Sequence, residues 1–247
     1  MKLYKYVIPK RIDVVRRQMI RFTPPGFLSD PFECRIAYNL TTSTSGGHGN
    51  EVHKVFDPDE YIRLWRRMAS AEWGILCLTK RPDNLVMWGH YANAHRGFLL
   101  EFDSENPFFN NRYVMHLDWT WMEEMPLEYR GFGNLRDVQY TQLRCSTCNP
   151  DEVPTISFFV KSTDWQYEEE VRMIMPLNYA DYTNKEGFLH LFRFPPEALT
   201  GLILGAGADQ KLIQGLSRLV KKDRLSHVIL RKARLSLNDF GMTFDEL

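Results

Sequence analysis

The chain carries no net charge. Its 31 lysines and arginines are matched by 31 aspartates and glutamates over 247 residues. A balanced surface gives no global attraction for nucleic acid or an anionic membrane, and leaves a local basic groove as the route to such a partner. No apolar run approaches the roughly 18 residues that span a bilayer. The opening stretch MKLYKYVIPKRIDVVRR has no apolar signal region, so the expected compartment is the cytoplasm. Cysteine is scarce, at four residues, which fits free thiols rather than a disulfide framework. No internal repeat or linker interrupts the chain, and residues 1–247 read as a single domain. What the chain has in quantity is aromatic side chains, 13% of the residues with 6 tryptophans. Such content builds a rigid core or a ring-lined pocket.

LYKYV alternates like a short strand, and Ile12, Val15 and Met19 follow at helical spacing across residues 10–20. Residues 22–33 form a proline-rich loop. Residues 41–50 are polar and glycine-rich, without the lysine-serine ending of a phosphate cradle. Asp57-Pro58 suits a helix start. Tyr61, Leu64, Trp65 and Met68 are that helix's expected buried stripe, and Gly74 its end. Residues 84–95 are predicted helical behind an asparagine cap, with Gly97 as the stop. Strands are expected at ILCLT, FLLEF, YVMHLDW, LRDVQYT, YEEEVRMIM, FLHLFRF, LTGLILG and HVILRKARL. TISFFVKSTDW reads as a short helix, and another carries Leu212, Leu216, Leu219 and Val220. This irregular mixture predicts an α+β fold with a central mixed or antiparallel sheet flanked by helices. Its expected core includes Leu76, Leu78, Leu99, Phe102, Val171, Met173, Leu202 and Leu204.

The densest chemistry lies in WQYEEEVRM, residues 165–173. As one strand it places Glu168, Glu170 and Arg172 on one face and Tyr167, Glu169, Val171 and Met173 on the other. Same-face neighbours lie roughly 6.5–7 Å apart. Two carboxylates at that spacing hold a cation, orient two hydroxyls, or repel until one pKa rises. The plainer alternative is a solvated face with a glutamate–arginine pair. In MWGHYANAHRGFLLEF, Trp88 and Tyr91 are fit to stack on a planar ring, and His90 to donate to a ribose or phosphate oxygen. A packing helix is the alternative there. His90 and His95 lack the i, i+4 spacing of a metal pair, and no metal is expected. Asp30 and Glu33 in SDPFE read equally as capping groups or site carboxylates, with a structural role as the default. Cys145 and Cys148 make a single C-x-x-C, half of what a four-ligand zinc site needs. GAGAD, at residues 205–209, lacks a third glycine and reads as a tight turn.

Taken in order, LYKY, SDPFE, ILCLT, MWGHYANAHRGFLLEF, VQY, KSTDWQYEEEVRM and LILG resemble a bacterial family called domain of unknown function 2971. That name supplies no reaction. More distantly, Glu168-Glu169-Glu170 is similar to the E-x-E element of ADP-ribosyltransferases. The resemblance implies NAD as substrate. Glu170 would bond the nicotinamide ribose and stabilise an oxocarbenium-like transition state, while Glu168 orients the acceptor. His90 joins them as a catalytic candidate. Tyr91 and Trp88 would stack nicotinamide, with Arg172, Lys5 and Tyr6 on the binding side. A carboxylate beside a sugar that gains positive charge lowers the barrier electrostatically. Lys5 and Tyr6 stand where many such enzymes carry arginine or histidine, and residues 42–45 lie early for their serine-threonine-serine strand. The expected function is thus NAD-dependent ADP-ribosyl transfer in a toxin or phage-defence effector, with a small-molecule nucleotide as partner. Two other classes stay open. One is a metal-dependent nuclease or hydrolase with Glu101, Glu168, Glu170 and Lys161 around magnesium or manganese. The other is a non-catalytic module whose aromatic pocket recognises a nucleotide or peptide.

Overall fold

A computed structural model describes residues 1–35, 37–38, 58–110, 131–144, 146–147 and 155–247. In chain order the first strands are β1 (Lys2–Val7), β2 (Met19–Phe22), β3 (Ala37–Tyr38), β4 (Trp73–Thr79), β5 (Phe98–Asp103), β6 (Arg136–Asp137), β7 (Gln139–Thr141) and β8 (Ser146–Thr147). They are followed by β9 (Val160–Ser162), β10 (Glu170–Pro176), β11 (Tyr182–Thr183), β12 (His190–Arg193), β13 (Leu199–Leu204), β14 (Ile229–Leu235) and β15 (Met242–Glu246). The α-helices are α1 (Asp13–Arg17), α2 (Pro58–Glu72), α3 (Leu85–Tyr91) and α4 (Gln210–Val220). Among the described residues, no helix is long and apolar enough to cross a membrane.

Eight strands form the main sheet, in the order β15-β14-β13-β5-β1-β4-β10-β6. Its pairings are antiparallel except β13 with β14. Those two are joined through α4, the kind of crossover that parallel neighbours require. The fold is thus α+β with a mixed, mostly antiparallel sheet, as the sequence predicts.

Strand alternation sorts the two faces. Leu3 and Val7 of β1 enter a large apolar cluster with Leu100, Phe102, Leu202 and Leu204. Tyr4 and Tyr6 enter a smaller one with Leu99, Ile203, Met87 and Trp88. All the expected core positions are buried, none more than 2% exposed.

Helix α3 covers the smaller cluster. Asn84 caps it by accepting from the Met87 amide at 3.0 Å, and the same side chain donates to the Tyr167 carbonyl at 2.8 Å. One residue therefore starts the helix and ties it to a distant turn. Asn84→Ala is expected to lower stability by about 1–2 kcal/mol, since a cap alone is worth about 1. Asn84→Asp, which keeps the acceptor and loses the donor, should recover part of it. Denaturant midpoints of the three proteins check the order.

Several local expectations are corrected. Residues 10–20 are not one helix: α1 stops at Arg17, Gln18 takes a left-handed φ of 54°, and Met19 opens β2. Pairing with β12, Met19 against Arg193, overrides the helical spacing. In α2, Trp65 and Ala69 point inward while Met68 is 51% exposed, and Gly74 lies inside β4. Helix α3 ends at Tyr91, short of the predicted 95, because Asn93, Ala94 and His95 all adopt positive φ. Gly97 is required there by close approach: a Cβ would lie 2.1 Å from the Val7 carbonyl oxygen. TISFFVKSTDW is not a helix but two 3-10 turns flanking β9, which pairs with β7. The GAGAD turn is held against residues 95–97 by Gly205 and Gly207 amides donating to Gly97 and His95 carbonyls, each at 2.9 Å. The YVMHLDW strand, the 41–50 loop with residues 42–45, Asp57, and both Cys145 and Cys148 lie outside the described residues.

Candidate active site

The stretch Glu168-Glu169-Glu170 does not sit on one strand. Ser162 caps a 3-10 turn, Thr163–Glu168, by accepting from the Asp164 amide. Glu169 then takes a left-handed φ of 42° and turns the chain, and β10 begins only at Glu170. The break sends consecutive glutamates in different directions. Glu169 faces outward to Arg81 at 2.9 Å. Glu168 and Glu170 turn inward from two different elements and meet on one ammonium: Lys161 Nζ donates to Glu168 Oε2 at 2.5 Å and Glu170 Oε2 at 3.2 Å. The register of β10 on β4 fixes this floor, with Glu170 opposite Thr79 and Arg172 opposite Cys77.

These groups are buried rather than solvated, which corrects the plainer reading of this face. Glu33, Lys161, Glu168, Glu170 and Arg172 are all buried, Arg172 completely. Arg172 grips Glu170 with two parallel bonds of 2.9 Å, from Nε and Nη2, and Nη2 also donates to Glu33. Its Nη1 donates to the Phe158 carbonyl. The Tyr140 hydroxyl accepts from the Glu170 amide at 2.8 Å. Tyr91 donates its hydroxyl to Glu168 Oε1 at 2.6 Å. Glu168 is thereby held by a phenol on one oxygen and an ammonium on the other.

Three buried carboxylates face two paired cations. Burial disfavours the Glu170 carboxylate, but Arg172 and Lys161 outweigh it and hold its pKa at about 2. Burial raises Glu33, which shares Arg172 with Glu170 and is repelled by it. Burial opposes the Lys161 ammonium, yet Glu170, Glu33 and Glu168 raise its pKa. Lys5 is shifted down by burial and donates to the Cys77 carbonyl at 2.8 Å. Burial and the bond to Glu168 both raise the Tyr91 phenol.

Above this floor lies a cavity of about 290 Å³, at the small end of the range for small-molecule sites. Lys5, Tyr6, Tyr91, Lys161, Glu168 and Glu170 all line it, with Tyr4 and Trp165 adding rings. The Lys161 ammonium stands 4.7 Å from the Trp165 ring centre. Of the residues singled out in the sequence, Glu168, Glu170, Tyr91, Lys5 and Tyr6 come together here, and Arg172 lies beneath them. Trp88 and His90 do not join them. Trp88 is fully buried in the core, edge-on to Tyr6 at 5.2 Å, with its indole N–H bonded to the Pro82 carbonyl. His90 is exposed. Met87 and Tyr91, one helical turn apart, are the α3 residues that reach the cavity.

Two residues were undervalued in the sequence. Glu33 reads there as a structural group by default, with a site carboxylate as the alternative, and Lys161 appears only as a metal-site companion. The signal for both was charge inside apolar surroundings: SDPFE closing a proline-rich loop, and FFVKS with lysine inside a hydrophobic run. Among the described residues, no group of three potential metal ligands is assembled. Lys161 occupies the position between Glu168 and Glu170 that a divalent ion would take.

No curated protein and no solved structure matches the chain. Residues 87–173, the stretch that carries Tyr91, Lys161, Glu168, Glu170 and Arg172, match the model of a family described as protein of unknown function (DUF2971).

Proposed function

We propose that the cavity cleaves the glycosidic bond between nicotinamide and ribose in NAD and passes the ADP-ribosyl group to an acceptor. The observation that carries this reading is the convergence of Glu168 and Glu170 on Lys161 at the floor of a ring-lined cavity. When the bond breaks, its electron pair leaves with the nicotinamide nitrogen and C1′ of the ribose becomes cationic. The Glu168 and Glu170 carboxylates are held in place before that cation forms, so no reorganisation is needed as it develops. Glu170, locked by Arg172, supplies the stationary part of their charge. Glu168 takes the acceptor's proton as the acceptor attacks C1′. Tyr91 and Lys161 keep its carboxylate aimed. The rings of Tyr4, Tyr6 and Trp165 offer flat surfaces to the base.

Glu168→Gln is the cleaner probe. From the sequence, Glu170→Gln is expected to leave the fold untouched, but the two-pronged bond to Arg172 makes that substitution structural as well. Glu168→Gln keeps the shape and leaves Lys161 paired with Glu170, and should lose about 10²–10³ in the rate of transfer to the acceptor, the step whose proton Glu168 takes. The assay is nicotinamide release from NAD with and without cell lysate as acceptor source, and transfer to that acceptor, beside a thermal melt. A folded Glu168→Gln protein that transfers to the acceptor at the wild-type rate defeats the assignment. So does a wild-type protein inert toward NAD in both conditions, and in that case stabilisation by NAD without turnover would mark the cavity as a binding site only.

A further inference from the structure

The neutral chain gathers positive charge locally. A groove of about 700 Å³, more than twice the volume of the candidate active site, runs between the turn after β1, helix α1, the turn after α3, and helix α4. Lys10, Arg16, Arg96, Lys211 and Arg218 line it. All five are exposed. Among the described residues, none of the five forms an ion pair. Arg218 bonds the Gln214 carbonyl within its own helix. The one carboxylate in the lining, Asp209, is occupied as the N-cap of α4, accepting from the Leu212 amide at 2.7 Å. Five cations therefore share one groove with a single carboxylate, which leaves the lining net positive, and their mutual repulsion is a cost that a bound polyanion removes.

The groove is built into the fold. On α4, Lys211, Gly215 and Arg218 recur at helical spacing along one stripe. Gly215 opens the space between its neighbours and admits Ile12, whose Cδ1 would lie 2.8 Å from a Cβ at that position. Glycine inside a helix costs about 1 kcal/mol relative to alanine, and here it lets α4 approach the α1 segment closely. Arg96 is presented by the run of left-handed residues 93–95 that ends α3, with the GAGAD turn bonded behind it.

We propose that this groove binds the phosphodiester backbone of a nucleic-acid duplex. The inference goes beyond the NAD reading and stands or falls apart from it. Two features select the ligand. First, three of the five cations are arginines, whose forked guanidinium matches phosphate oxygens. Second, no aromatic residue and no methionine lines the groove. Single strands and mononucleotides are held by stacking bases on rings, and protein interfaces centre on aromatic and methionine anchors. A duplex turns its bases inward and meets a protein through phosphates first, so it needs no such platform.

Fluorescence anisotropy of the full chain with a labelled 20-base-pair duplex tests this, using DNA and RNA versions because the backbone chemistry is shared. If all five cations contact phosphates, log affinity falls with log salt at a slope of about −4 to −5, or about 500-fold between 50 and 200 mM. Arg96→Ala should reduce that slope by about one. Lys10→Glu/Arg96→Glu/Lys211→Glu, changed only at exposed positions, should melt normally and lose binding by at least about 30-fold. Lys185→Glu, outside the groove, should bind as wild type does. The proposal is overturned if neither duplex binds at 50 mM salt, or if the triple variant binds as wild type does. Binding of poly-glutamate or inorganic pyrophosphate with no binding of either duplex overturns it too, in favour of an acidic protein or a small phosphate ligand.

Discussion

Arg172→Met is expected to be the most damaging single substitution in the molecule, at about 3–5 kcal/mol. The side chain is completely buried and bonds both Glu170 and Glu33. Methionine fills much of the volume, so the loss is not chiefly a cavity. It is the stranding of two buried carboxylates beside the cavity, with Lys161 left as their remaining paired cation. In a chain of this length such a loss lowers the melting temperature by about 6–20 °C. Adding Glu33→Gln and Glu170→Gln to Arg172→Met removes the stranded charges and should return part of the stability. Denaturant unfolding of the single and triple variants checks both statements. An Arg172→Met protein within about 1 kcal/mol of wild type would mean that this arginine does not compensate buried charge.

Acid should expose Glu33 and Glu170 separately. Glu170 falls from its ordinary 4.5 to about 2 in the folded chain. Its contribution is present above the unfolded value, and is lost as the pH drops toward the folded one. One pKa unit is worth about 1.4 kcal/mol, so the loss is on the order of 3 kcal/mol. Glu33 has the opposite sign, because its folded pKa is raised above the ordinary 4.5. Its contribution is full below 4.5 and disappears as the pH climbs through the folded value. Glu170→Gln should therefore flatten the fall in stability between pH 4.5 and 2 relative to wild type. Glu33→Gln should instead flatten the decline on the alkaline side of 4.5. Unfolding free energies from pH 2 to 8 measure both limbs. Parallel curves for wild type and Glu170→Gln below pH 4.5 would show that Arg172 and Lys161 do not hold this carboxyl down.

The parts of this fold that were legible in the sequence are those set by local period and full burial. ILCLT, FLLEF and LTGLILG are apolar runs too short for helices, and each is a strand deep in the sheet. The cap at Asn84 was legible because its chemistry is local. Met19 was not, because only the partner strand β12 decides that it is extended. The candidate site divides the same way. Glu168 and Glu170 were visible as a pair, but alternation gave the wrong reason for their meeting. A left-handed glutamate between them, which no propensity favours, breaks the strand and still brings both carboxylates to Lys161. The bond from Arg172 to Glu33 spans 139 residues, and no local pattern reports it. Trp88 and Tyr91 were equal candidates as rings; three residues of helical rotation put one in the core and the other on Glu168.

During synthesis the strands of the main sheet leave the ribosome in an order unlike their order in space. β1 is made first and stands between β4 and β5. Tyr4 must wait for Thr79 and Leu3 for Phe102 before either edge is satisfied. β10 arrives later still, and only then do Glu170 and Arg172 come to lie beside Glu33. Until that moment Glu33 remains hydrated, and the penalty for burying charge has not been incurred. The ionic floor therefore cannot assemble before β10 has been made, although β13, β14 and β15 of the same sheet follow it in the chain. Contacts made after the rate-limiting step set how fast a native protein opens, not how fast it forms. An ionic floor that closes after that step makes Arg172 and Glu170 substitutions speed unfolding and leave the folding rate unchanged.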